Sequence, residues 1–246
     1  MKKKNFSTII IENFKTLFGA LIIAVLIRSL LFQPFYIPSS SMEPTLLVGD
    51  RIFASKYVYG YSRHSFPFSP NLFNGRLLSK NPKRGDLVIF KTPADNRTDY
   101  IKRLIGLPND TIQFINGELY INGKLITKKK VEQNQSIRCG KFILETNTFI
   151  ETLPNGVKHL VAYKKISSTQ NTQIYKVPEN HYFFLGDNRD CSKDSRYLDD
   201  VGYVKNVNLV GKAKIIFFSN DTYKGSLLEF WNLNNSFRLK RLFKIL

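Results

Sequence analysis

An uninterrupted apolar run near the N-terminus constrains this chain more than any other feature. Residues Leu17–Ile27 read LFGALIIAVLI, and after Arg28 and Ser29 the run resumes over residues 30–32. Its length is just under the roughly 17 to 25 residues that cross a bilayer as a helix. Arg28 lies near one end, where its long side chain can reach the lipid head groups. We therefore predict a transmembrane segment over residues 16–33.

The next segment leaves two interpretations open. In IPSSSMEPTL, Ser39 and Ser41 are small residues two positions apart, the pattern at which a secretory signal peptide is cleaved. The alternative is a retained anchor, with these serines belonging to the domain that follows. In both cases Lys15 and the lysines at 2–4 precede the apolar run, so the positive-inside rule predicts that residues 1–15 are cytoplasmic and the rest extracytoplasmic.

The remainder of the chain has the pattern of β-strands. Short runs rich in Val, Ile, Phe and Tyr are separated by turn residues, and FINGELYINGKLI holds two Asn-Gly pairs between alternating apolar residues, a strong hairpin signal. We predict a mainly β, antiparallel ectodomain. The predicted strands are Leu87–Phe90, Thr111–Ile115, Leu119–Ile121, Phe142–Leu144, His181–Leu185 and Leu209–Ser219.

Charge and cysteine content narrow the functional classes. The net charge of +18 favours contact with anionic surfaces, but no RNA- or DNA-binding signature accompanies it, so we expect membrane lipids and no nucleic acid. Cys139 and Cys191 have neither a CxxC partner nor a histidine at ligand spacing, so we predict no metal site. We expect each thiol to be free, and a bridge between the two remains open.

Two segments combine exposed-looking aromatic residues with basic ones. Residues 60–80 carry Phe66, Phe68, Leu72 and Phe73 among turn formers, and residues 237–246 mix Leu and Phe with Arg and Lys at helical spacing. Either segment could be ordinary surface or the edge of the core. The functional interpretation is that both dip into the membrane interface beside the anchor.

The sequence also restricts which side chain could act as a catalytic base. His64 and His159 sit in turn-rich sequence, His181 lies in a predicted strand, and no G-x-S-x-G elbow is present, which argues against a Ser-His-Asp enzyme. A lysine can act as the base instead if an apolar environment keeps it neutral. Lys102 is the best candidate, because the strand-like run around it could turn its amine inward.

Five boxes, occurring in the same order along the chain, resemble type I signal peptidases, the membrane-anchored enzymes that remove signal peptides. They are IPSSSMEPTL, GDRIFASK, KRGDLVIF, DYIKRLIGLPND and GDNRDCSKDSR. The resemblance covers the anchor, residues 35–110 and residues 177–220. A cut after Ser41 would remove a residue of the first box, so the resemblance favours the retained anchor.

The resemblance implies a serine-lysine dyad. Ser41 would be the nucleophile and Lys102 the general base, and Ser39 would donate its hydroxyl to the oxyanion beside the Ser41 N–H. Ser192 would hydrogen-bond the Lys102 amine. Asp194 and Arg196 would form a supporting ion pair, with Asp187 close by.

The same resemblance implies the substrate and the organisation of the chain. Two shallow apolar pockets would accept small side chains at the third and first positions before the cut; their lining would be Ile37, Met42, Leu46, Ile89, Tyr100 and Ile101. We expect preprotein signal peptides as substrates, no cofactor, and a monomer in the plasma (inner) membrane. Residues 34–110 and 177–246 would form the catalytic β core, and residues 111–176 a variable second β region.

Two other functions remain as alternatives. One keeps the scaffold for a specialised processing peptidase, or for a self-cleaving serine-lysine protein of the repressor kind, although the anchor argues against a cytoplasmic repressor. The other is an anchored basic protein without activity that binds anionic lipid or nucleic acid, for which substitution of Ser41 would have no effect.

Overall fold

One helix long and apolar enough to span a membrane precedes a β-rich body. The structure, a computed structural model, describes residues 6–131, 135–140, 142–164, 171–221, 223 and 236–246. Helix α1 runs over Phe6–Leu26 and continues as one π-helical turn, Ile27–Leu31, and the apolar span is Thr8–Leu31. The helix thus begins ten residues before the predicted segment, because apolar Ile9–Ile11 and Phe14 extend its surface. The lysines at 2–4 lie outside the described residues.

The prediction of a mainly β, antiparallel ectodomain is confirmed. The strands are β1 Phe32–Tyr36, β2 Asp50–Ser55, β3 Leu87–Lys91, β4 Asp99–Gly106, β5 Thr111–Ile115, β6 Glu118–Ile121, β7 Lys124–Leu125, β8 Lys128–Lys130, β9 Gln135–Cys139, β10 Phe142–Thr152, β11 Lys158–Lys164, β12 Tyr175–Lys176, β13 His181–Leu185, β14 Val204–Lys205, β15 Leu209–Ser219 and β16 Lys244–Ile245. Short 3₁₀ turns occupy Ser40–Met42, Arg63–Ser65, Asn206–Asn208 and Leu239–Arg241.

These strands form three sheets. The largest has the order β1-β2-β15-β3-β4-β13-β14, with β16 paired to β15. The other two are β11-β10-β8, with β9 on β10, and β12-β5-β6-β7. Residues 111–176 therefore hold the strands of the two smaller sheets, while the division into domains stays a prediction.

The Asn-Gly turns have the predicted geometry. Asn116 and Gly117 have φ values of +50° and +77°, and Asn122 and Gly123 have +53° and +73°. Two consecutive residues with positive φ define the type I′ turn, whose twist matches that of the flanking strands. The meander β5-β6-β7 follows from these two turns.

Residues 237–246 do not form the helix that their spacing indicates. Only Leu239–Arg241 turns, and the segment then joins the main sheet as β16, where Ile245 pairs with Ile215. Pairing with the part of β15 that β3 leaves uncovered satisfies the backbone of this segment without a helix. Leu239, Phe243 and Ile245 remain largely exposed, as do Phe68, Leu72, Leu77 and Leu78 of the 60–80 segment.

Candidate active site

The centre of the site is a pair formed by a turn serine and a strand lysine. Ser41 lies in the 3₁₀ turn that follows β1, and Lys102 lies in β4, where it pairs with Val88 of β3. The Lys102 Nζ to Ser41 Oγ distance is 2.6 Å, and Nζ also donates to the Ile101 carbonyl at 3.1 Å. Lys102 is 3% exposed and Ser41 8% exposed. A buried amine thus contacts a buried hydroxyl.

Burial changes the acidity of this lysine. Removal from water lowers the pKa of Lys102 to about 8, against the opposing charges of Asp194 and Asp187 and with a small contribution from Arg196. Desolvation disfavours the ammonium form, so a larger fraction of the lysine is the free amine near neutral pH than in water. A neutral amine beside a hydroxyl can accept its proton.

A second lysine shows why burial alone does not define a base. Lys56 is 2% exposed, and burial, followed by repulsion from Arg28, lowers its pKa to about 8. Its Nζ donates to the Ser65 carbonyl at 2.5 Å, an acceptor that has no proton to give up. Lys102 differs because its partner is a hydroxyl.

The predicted supporting residues surround the pair. Ser39 Oγ is 3.3 Å from Ser41 Oγ. Arg196 pairs with Asp194 at 2.8 Å, and Asp194 accepts the Gly186 N–H at 2.9 Å. Burial opposes ionisation of Asp194, but the Arg196 guanidinium outweighs it, and the pKa of this carboxyl lies below its usual range.

Ser192 packs beneath the nucleophile without the expected hydrogen bond. A side chain at Gly186 would overlap both Ser192 Oγ and the Ser41 carbonyl, so the three groups are in close contact. Among the described residues, the buried Ser192 hydroxyl has no partner in hydrogen-bonding geometry, although it is near enough to Asp194 to help lower the pKa of that carboxyl. The predicted hydrogen bond between Ser192 and Lys102 is therefore not formed in this conformation.

Asp187, which was expected only to lie close to the Asp194–Arg196 pair, forms an ion pair of its own with Arg103. Arg103 binds both of its carboxylate oxygens, Nε to Oδ1 at 2.8 Å and Nη2 to Oδ2 at 2.6 Å, and Thr45 Oγ1 donates at 2.5 Å. Sequence reasoning missed Arg103. The signal was available, because a guanidinium inside an apolar strand needs an acidic partner.

His159 sits near this pair but not near the nucleophile. It lies in β11, not in a turn as predicted, because the chain turns earlier at residues 154–156. Its Nε2 is 3.3 Å from Glu151 and 4.0 Å from Asp187. Ser41 Oγ contacts Ser39 and Lys102 and no histidine in the described part of the chain.

Two connections fix the turn Ser40–Met42, which carries the predicted nucleophile and is called the nucleophile turn below, to more distant parts of the chain. Asn188 Nδ2 donates to the carbonyls of Ser40 and Arg138 at 3.1 and 2.9 Å, and the Asn188 N–H donates to the Ser41 carbonyl at 3.2 Å. The Arg138 N–H donates to Glu43 at 2.9 Å. These bonds hold β9 against the nucleophile turn.

A disulfide adds to the first connection. Cys139, the last residue of β9, is bonded to Cys191, and their Cα atoms are 5.4 Å apart. The expectation of free thiols is therefore wrong. The two residues are 52 positions apart in sequence, and only the packing of β9 against the loop after β13 brings them together.

The second connection comes from the segment after β15. Arg241 donates to the Thr45 carbonyl at 2.9 Å and to both oxygens of Asp50, at 3.0 and 2.6 Å. Asp50 also accepts the Leu47 N–H at 2.8 Å. Arg241 thereby braces the loop that follows the nucleophile turn.

An apolar cleft of about 360 Å³ opens beside the pair. Four of the six predicted pocket residues line it, together with Ser39, Ser41 and Lys102; they are Ile37, Ile89, Tyr100 and Ile101. Met42 and Leu46 do not line it. They are 1% and 0% exposed and pack in the core with Ile52 and Val210, because the turn directs them inward beneath Ser41.

Comparison with known proteins gives a consistent result. Residues 10–218 match the model of the family described as signal peptidase, peptidase S26. A signal peptidase I of Rickettsia typhi is 42% identical over 252 residues, covering 95% of this chain and 92% of the relative. A signal peptidase I of Rickettsia massiliae is 46% identical over 207 residues, covering 80% and 75%. The crystal structure of a signal peptidase I from Enterococcus faecalis V583 is 30% identical with a TM-score of 0.32, covering 54% of this chain and 97% of that one.

Proposed function

Because this chain belongs to the signal peptidase family, peptidase S26, we propose that it removes signal peptides from exported preproteins with a Ser41–Lys102 dyad. Signal-peptide removal by a serine peptidase is the activity of the family. The dyad, the cleavage specificity and the membrane topology are our proposals. The observation that carries the dyad is the 2.6 Å contact between the buried Lys102 amine and the Ser41 hydroxyl.

The proposed reaction begins with proton transfer. Neutral Lys102 accepts the Ser41 proton as Ser41 Oγ attacks the scissile carbonyl carbon, and the Ser39 hydroxyl and the Ser41 N–H stabilise the resulting oxyanion. The Lys102 ammonium then gives its proton to the departing amine, leaving an ester on Ser41. Lys102 next takes a proton from a water molecule, which hydrolyses the ester and restores the serine.

The cleft supports a preference for small side chains. Ile37, Ile89 and Ile101 supply apolar surface beside the dyad. Within the part of the chain that the structure describes, the charged residues that line the cleft are Asp99, Lys102 and Lys193. Such a shallow apolar site excludes large residues by their volume. We propose cleavage after a small residue, with a second small residue two positions earlier.

The apolar helix supports a membrane location. Its span of 24 residues is long enough to cross a bilayer, and all of its residues except Gly19, Ser29 and Leu30 are exposed. The lysines at 2–4 precede this span and Lys15 lies in its first half, so by the positive-inside rule these charges favour a cytoplasmic N-terminal side. We propose that the dyad then works on the extracytoplasmic side, with the exposed apolar residues of the 60–80 and 237–246 segments touching the lipid interface.

Substitution tests the dyad directly. In detergent, Ser41→Ala and Lys102→Ala should each slow cleavage of a preprotein by at least about a thousandfold while the unfolding transition persists. The matched controls are Ser40→Ala, in the same turn, and Lys193→Ala, on the same cleft; both should retain most activity. If either dyad variant cleaves at the normal rate, the proposal is wrong.

A further inference from the structure

A basic cavity lies where the membrane helix meets the catalytic body. Its volume is about 510 Å³, and its lining includes Arg28, Arg63, Lys91 and Arg97. Arg28 is in the last turn of the apolar span, so in a membrane this cavity lies at the depth of the lipid head groups. Neither Ser41 nor Lys102 lines this cavity.

The positive charges of the cavity are incompletely neutralised. Lys91 pairs with Asp99 at 2.9 Å. Asp95, the other acidic residue of the lining, accepts hydrogen bonds from Thr92, Thr98 and the Arg97 N–H. Arg28, Arg63 and Arg97 form no ion pair within the described residues. Three guanidinium groups are thus available for an external anion.

A buried histidine orients two groups of the cavity wall, the Arg63 guanidinium already counted and the Ser69 hydroxyl. His64 is 4% exposed, and its Nε2 accepts from Arg63 Nε at 3.3 Å, which leaves its Nδ1–H to donate to Ser69 Oγ at 3.0 Å. The terminal nitrogens of Arg63 and the hydroxyl proton of Ser69 therefore remain free to donate. Burial, and then the charges of Arg63, Lys91 and Arg76, lower the pKa of His64 to about 4, so this arrangement persists at neutral pH.

The rim of the cavity carries an apolar residue suited to a lipid surface. Phe68 lines the cavity and is fully exposed, and both Phe68 and Ser69 have positive φ, +62° and +50°. An aromatic ring beside a group of arginines is the combination that binds at the boundary between head groups and acyl chains.

We propose that this cavity binds the phosphate of an anionic phospholipid head group, through Arg28, Arg63, Arg97 and Ser69. The inference rests on the proposed membrane placement and is independent of the dyad. Its chemistry is that of a phosphate diester held by guanidinium groups, which bind phosphate by paired hydrogen bonds. The lipid, and not free phosphate, is the occupant we infer, because the cavity adjoins the membrane helix and Phe68.

Native mass spectrometry of the full-length protein in detergent tests the site. Phosphatidylglycerol should bind more tightly than phosphatidylcholine, and Arg28→Gln with Arg63→Gln should weaken phosphatidylglycerol binding by about twenty-fivefold, on the basis of about fivefold for each basic residue. Arg97→Gln, on an exposed loop, should weaken phosphatidylglycerol binding by about fivefold. This variant keeps the test valid if Arg28→Gln disturbs insertion of the helix into the membrane. The matched control is Lys158→Gln with Lys176→Gln, two exposed lysines outside the main sheet, which should change binding less than about twofold.

Three outcomes would overturn the inference. Equal loss in the control variant would mean diffuse attraction to the net charge. Displacement of the lipid by sodium phosphate, but not by sodium chloride of equal ionic strength, would mean a site for free phosphate. A raised KM of the arginine variants for a preprotein without anionic lipid would mean that the cavity contacts substrate. Ser41→Ala should bind lipid normally, so failure of the dyad and failure of this site are distinguishable.

Discussion

Ser41 and Lys102 show what folding must supply for a lysine to act as a base near neutral pH. A lysine in water has a pKa of 10.5, and burial lowers that of Lys102 to about 8. At 1.36 kcal/mol for each pKa unit, this shift corresponds to about 3 kcal/mol taken from the stability of the protonated folded state. The chemistry of the site is thus linked to a local cost in stability.

The first prediction concerns the pH dependence of cleavage. Only the free amine of Lys102 can accept the serine proton, so kcat/KM should rise with pH and level off above about pH 8, the pKa of this lysine. The measurement is the rate of preprotein cleavage by purified protein between pH 6 and 10 in detergent. A rise centred near pH 6.5 would indicate a histidine base and contradict the assignment.

The second prediction concerns stability. Because the pKa of Lys102 is lower in the folded protein, the unfolded chain binds more protons than the folded one between about pH 8 and 10.5. The destabilisation by the buried ammonium is therefore fully present below pH 8 and decreases as pH rises through this window. Lys102→Met removes the charge at similar volume, and should raise the free energy of unfolding by about 1 to 3 kcal/mol at pH 7 while abolishing activity.

Denaturant unfolding in detergent measures this effect. The control is Lys158→Met, an exposed lysine whose loss should change the free energy of unfolding by less than about 0.5 kcal/mol. The increase in the free energy of unfolding caused by Lys102→Met should be smaller when the comparison is repeated at pH 10. A destabilised Lys102→Met variant at pH 7 would show that the amine contributes more through hydrogen bonds than burial costs.

At the scale of elements, the parts of the fold that local sequence determines were predictable. β5, β13 and β15 have the predicted bounds, and two Asn-Gly turns define the meander because few residues other than glycine and asparagine adopt positive φ readily. Ser41 was identified only through the resemblance of its box, whereas Lys102 was a candidate from its strand-like context and the resemblance strengthened it. No local pattern shows that residues 61 apart meet.

Contacts that depend on distant packing were missed for the same reason. The Arg103–Asp187 pair and the Cys139–Cys191 bridge join residues that only the assembled sheets bring together. Residues 237–246 have helical spacing, yet they pair with β15, because the free edge of a formed sheet outweighs weak local preference. Met42 and Leu46 were placed in the pocket, since sequence does not tell which face of a short turn is buried.

The third prediction tests the disulfide as a clamp on the site. Cys191 lines the cleft and directly precedes Ser192. Cys139 is the last residue of β9, and the residue before it, Arg138, binds Glu43 and Asn188. Cys139→Ser with Cys191→Ser should lower the free energy of unfolding by about 2 to 4 kcal/mol and reduce kcat more than it raises KM.

Reduction of the wild-type protein with dithiothreitol should have the same effect as the double substitution and should be reversed on reoxidation. The double variant itself should be insensitive to the reductant. Unchanged activity in the reduced wild-type protein would show that the hydrogen bonds of Asn188 and Arg138 suffice to position the loop.

At the scale of the whole molecule, the apolar helix and the main sheet are directly joined. The π-helical turn ends at Leu31 and β1 begins at Phe32. The Lys56 N–H donates to the Leu31 carbonyl and Tyr61 Oη to the Leu30 carbonyl, both at 3.0 Å. With no linker between helix and sheet, the orientation of the dyad relative to the membrane surface is set by the fold.

The fourth prediction distinguishes this arrangement from a cleaved signal. Removal of residues before Met42 would strip β1 from β2 and take Ser41 with it. We therefore expect the protein purified from membranes to keep its apolar helix, as mass spectrometry of the intact chain would show. A mature protein that begins at Met42 would contradict both the anchor and the dyad.

The brace formed by Arg241 sets an order of events during synthesis and export. The loop after the nucleophile turn is held by a side chain that follows it by almost 200 positions, the Arg241–Asp50 contact spanning 191 residues. While residue 241 is still in the ribosome or the translocation channel, this loop lacks its last support. We therefore expect the loop beside Ser41 to reach its folded form only after residue 241 has emerged, because the contact with Asp50 cannot form before then.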